Sequence, residues 1–158
     1  MSQPATGSQG PAANTVALLG EAYSTLGHQI VAGVVEAGFP QRPAHSGVFA
    51  HIDIEGGTRL TELARRANIT PQAMGELVDD LERMGYVSRR PDLEDRRAKR
   101  IVLTPRGLAC VHAAFETITG IERRLRGLLG GSELEVLRRS LERIVASGGS
   151  VGHGPVGT

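Results

Sequence analysis

The stretch LTELARRANITPQAMGELVDDLERMGYVSRRPDLEDRRAKRIVLTPRG, residues 60–107, decides the fold. Thr70 followed by Pro71 predicts a helix start, because threonine caps a helix and proline at the first helical position loses no hydrogen bond. The apolar residues that follow recur at helical spacing and form one stripe, predicted to be buried: Met74, Leu77, Val78 and Leu81. Upstream, Thr61 is expected to cap a short helix, and Asn68-Ile69 to form the turn. This order predicts a helix-turn-helix.

A β-hairpin is predicted directly after these two helices. Gly85 ends the second helix, and residues 86–90 and 99–104 are expected to be strands. The polar segment PDLEDRRA, residues 91–98, joins them as a long loop. A hairpin in this place is a wing, so residues from about 44 to 104 are predicted to form a winged helix-turn-helix.

Long amphipathic helices flank this unit. Apolar residues from Val16 to Val34 recur every three or four positions, which predicts a helix over 15–37, and a second helical stretch is expected from Ala44 to Ile54. Thr104-Pro105 repeats the capping signal, and SELE at residues 132–135 predicts a capping box that starts a last helix within 105–146. The predicted fold class is mainly α with a small β wing, flanked by N- and C-terminal dimerisation helices.

The predicted domain covers residues 14–146 as a single unit. The segments 1–13 and 147–158 are rich in Gly, Ser, Pro and Ala, so both are expected to be disordered tails.

The flanking helices carry apolar stripes that a winged helix alone does not need. A second copy of the chain would cover them and would place two recognition helices about 34 Å apart, one duplex turn. The alternative is a monomer whose helices pack internally. The residues expected at the dimer interface are Leu19, Tyr23, Leu125, Leu128, Leu134, Leu137 and Leu141.

Positive charge is concentrated on the hairpin. The chain has 18 basic and 17 acidic residues, yet residues 88–106 contain seven basic and three acidic ones, a net charge of +4. Such a projection suits a phosphate backbone. The alternative is a solvated hairpin kept soluble by its charge. Seventeen of the basic residues are arginine, which suits phosphate recognition but equally follows from GC-rich codons.

Several other classes of protein are not expected. The single cysteine, Cys110, cannot form an internal disulfide, and its pairing with histidines in a metal or redox site is less favoured than a buried thiol. No apolar run of about 18 residues and no signal peptide occur, so we expect a cytoplasmic protein that does not enter membranes. Patterns matching GxSxG and GxGxxG lie in the glycine-rich tail without the strand and helix they require, so no enzyme and no cofactor are predicted.

Residues 60–107 resemble the MarR (multiple antibiotic resistance regulator) family of bacterial transcription factors. The most specific part is Asp95-Arg96-Arg97 followed by Leu103-Thr104 and Gly107, which is similar to the family's D-x-R…L-T-x-x-G signature. The resemblance implies a homodimer with a recognition helix in the major groove of double-stranded DNA. It also implies Arg97 in the minor groove with Asp95 holding its fork. The charge of the hairpin adds Arg90, Arg96 and Lys99 to the expected DNA contacts. Many members release DNA when they bind a small phenolic or anionic molecule.

The recognition helix departs from the family. Gly75 and Glu76 stand where hydroxyl and arginine side chains are common, and acidic residues follow at 79, 80 and 82. The first turn is therefore expected to make the contacts, through Thr70, Gln72 and Ala73, with Gln72 pairing with adenine and Glu76 with a cytosine amino group.

The resulting hypothesis is a sequence-specific transcriptional regulator, a repressor relieved by a ligand, which binds a pseudopalindromic operator as a homodimer. The alternative is a winged-helix module for protein interaction or ligand sequestration that no longer reads DNA.

Overall fold

The computed structural model describes residues 14–95 and 97–148. It forms two compact units, which divide after Thr117 within a long helix. The first unit contains α1 (Thr15–Glu36), α2 (Ser46–Phe49), β1 (Thr58–Arg59), α3 (Leu60–Arg66), α4 (Pro71–Arg83), β2 (Val87–Pro91), β3 (Lys99–Leu103) and the start of α5 (Pro105–Leu129). The second contains the rest of α5 and α6 (Gly131–Gly148).

The three strands form one antiparallel sheet in the order β1-β3-β2. The hairpin pairs Val87 with Leu103 and Pro91 with Lys99. On its other side β3 pairs with β1, Thr58 against Ile101. This confirms the predicted hairpin and adds a strand that the sequence analysis missed, since two residues are too few to show an alternating pattern.

The core of the first unit lies between the helix-turn-helix, the sheet and the neighbouring ends of α1 and α5. Met74, Val78 and Leu81 of α4 are fully buried, and Leu77 packs against the same cluster, which confirms the predicted stripe. Val34, Leu63, Tyr86, Ile101 and Cys110 complete the centre of this core. Because one face of α4 is held in the core, the opposite face of this helix is exposed to solvent.

The turns of the helix-turn-helix follow the predicted signals. Asn68 adopts a left-handed φ of 54° between α3 and α4, and Gly85 has a φ of 78° where α4 ends. Thr70 caps α4, its Oγ1 accepting the Ala73 N–H at 3.2 Å. These residues set the angle at which α4 leaves α3.

Gly107 allows the wing and α5 to meet. A Cβ at this position would lie 1.9 Å from the carbonyl oxygen of Tyr86, which is inside van der Waals contact. Thr104 joins the same two segments, because its hydroxyl donates to Gly85 O at 2.6 Å while accepting the Gly107 N–H at 3.0 Å. The Leu103-Thr104…Gly107 pattern therefore marks the place where the backbone at the start of α5 packs closely against the segment between α4 and β2.

Four predicted element boundaries are wrong. Helix α3 begins at Leu60 with Arg59 as its cap, so Thr61 lies inside the helix. The stretch from Ala44 to Ile54 is a 3-10 turn, Pro43–His45, followed by the single-turn α2. Helix α6 begins at Gly131, one residue before the predicted Ser132 cap, because Gly130 takes a φ of 80° and interrupts the helical backbone between α5 and α6.

The fourth error is at the end of α6, which continues to Gly148 and so passes the predicted limit at 146. The predicted tails, 1–13 and the part of 147–158 beyond 148, lie outside the described residues. The fold class, mainly α with a small β wing between long helices, is confirmed.

Within the second unit, Arg138 of α6 forms ion pairs with Glu122 of α5 and with Glu135 of its own helix, the latter at 3.3 Å.

Among the helices of residues 14–95 and 97–148, none is long and apolar enough to cross a membrane.

Candidate nucleic-acid interface

The first turn of α4 presents its polar groups to solvent. Thr70, Gln72 and Glu76 are exposed, as expected, whereas Ala73 is half-buried. The Ala73 N–H donates to Thr70 Oγ1 and the Met74 N–H to Thr70 O, so the cap already uses these two amides. The contact of Ala73 with DNA stays a prediction. Pro71 has no N–H, which leaves Gln72 to supply the first-turn amide that the cap does not use.

The acidic residues farther along α4 are held by an arginine of the wing. Arg89 of β2 donates to Asp79 Oδ1 at 2.5 Å and to Glu82 Oε2, while its backbone N–H donates to Glu82 Oε1 at 3.0 Å. These two hydrogen-bonded carboxylates raise the pKa of the Arg89 guanidinium despite its partial burial. We name this set, Asp79, Glu82 and Arg89, the bracket.

Asp80 is neutralised in the same way from the other side of α4. Its carboxylate forms ion pairs with Arg42, which precedes the 3-10 turn, and with Arg83. The buried His45 ring lies 3.6 Å away, and its pKa is lowered by burial and by the charge of Arg42. Of the acidic residues from 76 to 82, Glu76 alone has no cationic partner among the described residues.

A buried carboxylate supports the wing. Asp92 is only 1% exposed and accepts Arg59 Nε at 2.7 Å and Arg100 Nε at 3.0 Å. It also accepts the Glu94 N–H at 2.9 Å, which shapes the hairpin tip. The hydrogen bond from Arg59, the Glu94 amide and Arg100 together hold the Asp92 pKa well below its usual range. Asp92 thus ties β1, β3 and the tip together.

Asp95 contacts the backbone of Arg97, and its expected role in holding the Arg97 fork stays a prediction. Its Oδ1 accepts the backbone N–H of Arg97 at 3.0 Å, and within the described residues no hydrogen bond joins it to the Arg97 guanidinium. The carboxylate that holds arginine forks in this wing is Asp92, three residues earlier. Arg96, also expected to contact DNA, lies outside the described residues.

Three cations of the wing are exposed without an intramolecular partner in the described part of the chain: Arg90, Arg97 and Lys99. The other basic residues nearby are engaged. Arg100 pairs with Asp92, Arg106 stacks on the Tyr86 ring at 4.9 Å, and Glu62 accepts from both Arg65 and Arg66, which lowers the Glu62 pKa to about 2. Within the described part of the winged helix-turn-helix, the unpaired positive charge therefore lies on the hairpin.

The predicted dimer residues differ in exposure. Tyr23 is 83% exposed and Leu128 is 78% exposed, while Leu137 and Leu141 remain more than a third exposed and Leu19 and Leu125 are half-buried. Leu134 is only 3% exposed in the single chain. The placement of these residues at a dimer interface stays a prediction. Val16, Ile144 and Val145 are also exposed apolar residues, although they were not among the residues predicted at a dimer interface.

Cys110 and the histidines were the residues considered for a metal or redox site. Within residues 14–95 and 97–148 there is no group of three His, Cys, Asp or Glu side chains that could hold a metal ion. Cys110 is 1% exposed in the core, and burial raises its pKa to about 11, so its thiol is protonated and unreactive.

A capped second helix, a three-stranded sheet and a basic hairpin define a winged helix-turn-helix protein. Residues 41–98 match the model described as the MarR family. This match covers the winged helix-turn-helix and confirms the resemblance found in the sequence.

Two curated relatives illustrate the likeness. The transcriptional repressor Rv2887 of Mycobacterium tuberculosis is 32% identical over 88 residues, 56% of this chain and 63% of the relative. The repressor YetL of Bacillus subtilis is 49% identical over 49 residues, 31% of this chain and 29% of the relative. The chain therefore spans less than two thirds of the length of these curated relatives.

Solved structures match over more of the chain. The transcriptional repressor CouR bound to a 23-mer DNA duplex has a TM-score of 0.71 and 26% identity, covering 91% of this chain and 99% of that one. The Rv2887 structure in complex with p-aminosalicylic acid has a TM-score of 0.62 and 24% identity, covering 83% of this chain and 98% of the other.

Proposed function

We propose that this protein is a transcriptional repressor that binds specific sequences of double-stranded DNA. The observation that carries the proposal is the distribution of charge within the winged helix-turn-helix: its described cations without an intramolecular partner lie on the wing, while the acids of α4 at 79, 80 and 82 are paired. The paired acids repel phosphates less than the sequence suggests. This removes the main reason for the alternative, a module that no longer reads DNA.

The wing supplies affinity in this proposal and α4 supplies sequence preference. Arg90, Arg97 and Lys99 neutralise phosphates and release counterions, with Arg97 entering the minor groove. Gln72 and Glu76 on the exposed face of α4 reach base edges, the amide suited to adenine and the carboxylate to the cytosine amino group. The relative CouR has been solved on a DNA duplex, which supports this arrangement.

The functional form in this proposal is a homodimer on a pseudopalindromic operator. The exposed apolar side chains of α1, α5 and α6, among them Tyr23 and Leu128, support it because isolated chains rarely leave so many uncovered. Leu128→Glu should lower the mass measured by sedimentation equilibrium toward that of one chain. Unchanged mass in this variant, or a wild type that is monomeric, would contradict the dimer.

A small phenolic or anionic molecule relieves repression in this proposal, within the cytoplasm. Its support is the family and the complex of the relative Rv2887 with p-aminosalicylic acid, an aromatic acid. A panel of aromatic acids added to the protein–DNA complex should include compounds that weaken binding. If none changes DNA affinity at millimolar concentration, relief by this class of ligand is wrong.

Selection of random duplexes by the purified protein at near-physiological salt, followed by sequencing, tests the central proposal. An enriched inverted repeat with half-sites about one helical turn apart is expected. Arg97→Ala is the matched variant, and it should retain less DNA of every sequence. Retention of no sequence above background by the wild type would count against the repressor.

A further inference from the structure

Gly75 occupies the interior of α4, where glycine is unfavourable. It lies within the helix Pro71–Arg83, and glycine in a helix interior is less stable than alanine because its backbone loses more freedom on folding. A Cβ built on Gly75 would meet no atom within 4 Å. The packing of this chain therefore does not require a glycine at 75.

Gly75 shares a face with the exposed polar residues of α4. Gln72 precedes it by three positions and Asp79 follows by four, the spacings that place helical residues on one side, and Glu76 is adjacent to it on that side. Met74, Val78 and Leu81 are fully buried and form the stripe that faces the core, and Gly75 is half-buried at the edge of this stripe. Since a Cβ on Gly75 would meet no atom, the space left by the missing side chain opens to solvent beside Gln72 and Asp79.

We infer that Gly75 sets how closely α4 approaches the floor of the major groove, and so determines specificity by positioning Gln72 and Glu76. The inference rests on the proposed function. An added Cβ projects roughly 1.5 Å from the helix backbone. If it holds the helix back by that distance, a hydrogen bond of about 2.9 Å to a base edge lengthens beyond about 3.5 Å and is lost.

Gly75→Ala separates this role from a structural one, because the two predict opposite signs. The variant should raise the thermal unfolding midpoint by about 2–4 °C, since alanine favours the helix and nothing obstructs its methyl group. Its affinity for the duplex selected by the wild type should fall by about fivefold to 150-fold, the range for one lost base contact. Affinity for random duplex should stay unchanged, so the ratio of specific to random binding falls.

Gly120→Ala is the matched control. Gly120 lies in the interior of α5, outside the helix-turn-helix, and a Cβ there also meets no atom within 4 Å. It should gain similar stability and keep the full ratio of specific to random binding.

The outcomes distinguish the inference from the function on which it rests. If the wild type selects a sequence and Gly75→Ala binds it equally well, or loses specific and random binding alike, the role of Gly75 is overturned while the repressor stands. If the wild type shows no sequence preference, both are overturned.

Discussion

Arg97→Ala should weaken the dependence of DNA binding on salt. Arg97 is exposed on the wing and is one of three hairpin cations, with Arg90 and Lys99, that have no intramolecular partner among the described residues. Each such cation that neutralises a phosphate releases a counterion, so the slope of log affinity against log salt falls by about 0.9 per contact. The alanine variant should therefore lose slope in proportion to the charges removed.

The magnitude follows from the number of unpaired cations. Three per chain give six in a dimer and a slope of about −5.4, which is a loss of roughly 2,000-fold in affinity between 50 and 200 mM salt. Arg97→Ala removes two, which reduces the slope to about −3.6 and the loss to roughly 150-fold. The difference of about 1.8 between the two slopes is independent of any further contacts that both proteins share.

Fluorescence anisotropy of a labelled duplex, titrated at four or five salt concentrations, measures both slopes. Arg139→Ala is the control, because Arg139 is an equally exposed arginine that lies on α6, outside the winged helix-turn-helix. Its slope should equal that of the wild type. Equal slopes for wild type and Arg97→Ala would refute the assignment of the wing to phosphate binding, and a reduced slope for Arg139→Ala would show that the cations were counted on the wrong surface.

Three further results are expected. Gln72→Ala should cost about 1–3 kcal/mol at one base pair and leave binding to random duplex unchanged, as measured with single-substituted operators; equal losses on every duplex would exclude direct reading by Gln72. Gly107→Ala should destabilise the fold by about 1–3 kcal/mol or more in urea, because its Cβ would overlap Tyr86 O; an unchanged midpoint would contradict the close junction. The lowered pKa of His45 means that the unfolded chain binds a proton more readily than the folded one, so stability should fall as pH drops through about 6.5. Thermal unfolding between pH 7.5 and 5.5 should show this fall, with a smaller one in His45→Gln, and identical falls in both would exclude His45 as its source.

Local signals predicted most of the fold. The Thr70-Pro71 cap, the turn at Asn68 and the stripe of Met74, Val78 and Leu81 were correct because each depends on residues within one or two helical turns. Strand β1 was missed because its two residues are specified by pairing with β3, more than 40 positions away. Such pairing leaves no periodic pattern in the sequence.

The candidate site was predicted less completely, for the same reason. The exposed wing cations followed from composition, but the partners of the α4 acids did not, because Arg89 and Arg42 approach them from other elements. Part of the role of Asp92 could have been predicted from the sequence. An aspartate just after a strand favours a turn in which its side chain accepts the amide two residues later, as Asp92 does from Glu94. Its pairing with Arg59, 33 positions away, required the fold.

The bracket of Asp79, Glu82 and Arg89 couples the charges of the hairpin to those of α4, so the two should be transferred between relatives together. A wing taken from this chain without its helix would carry an arginine deprived of both carboxylates, and a helix taken without its wing would carry two uncompensated acids. Asp80 and Asp92 also need Arg42 and Arg59, so chimaeras between relatives should place their junctions before Arg42 and after Gly107. Those cut between Arg83 and Val87 should regain binding only when the donor segment brings its own matching charges.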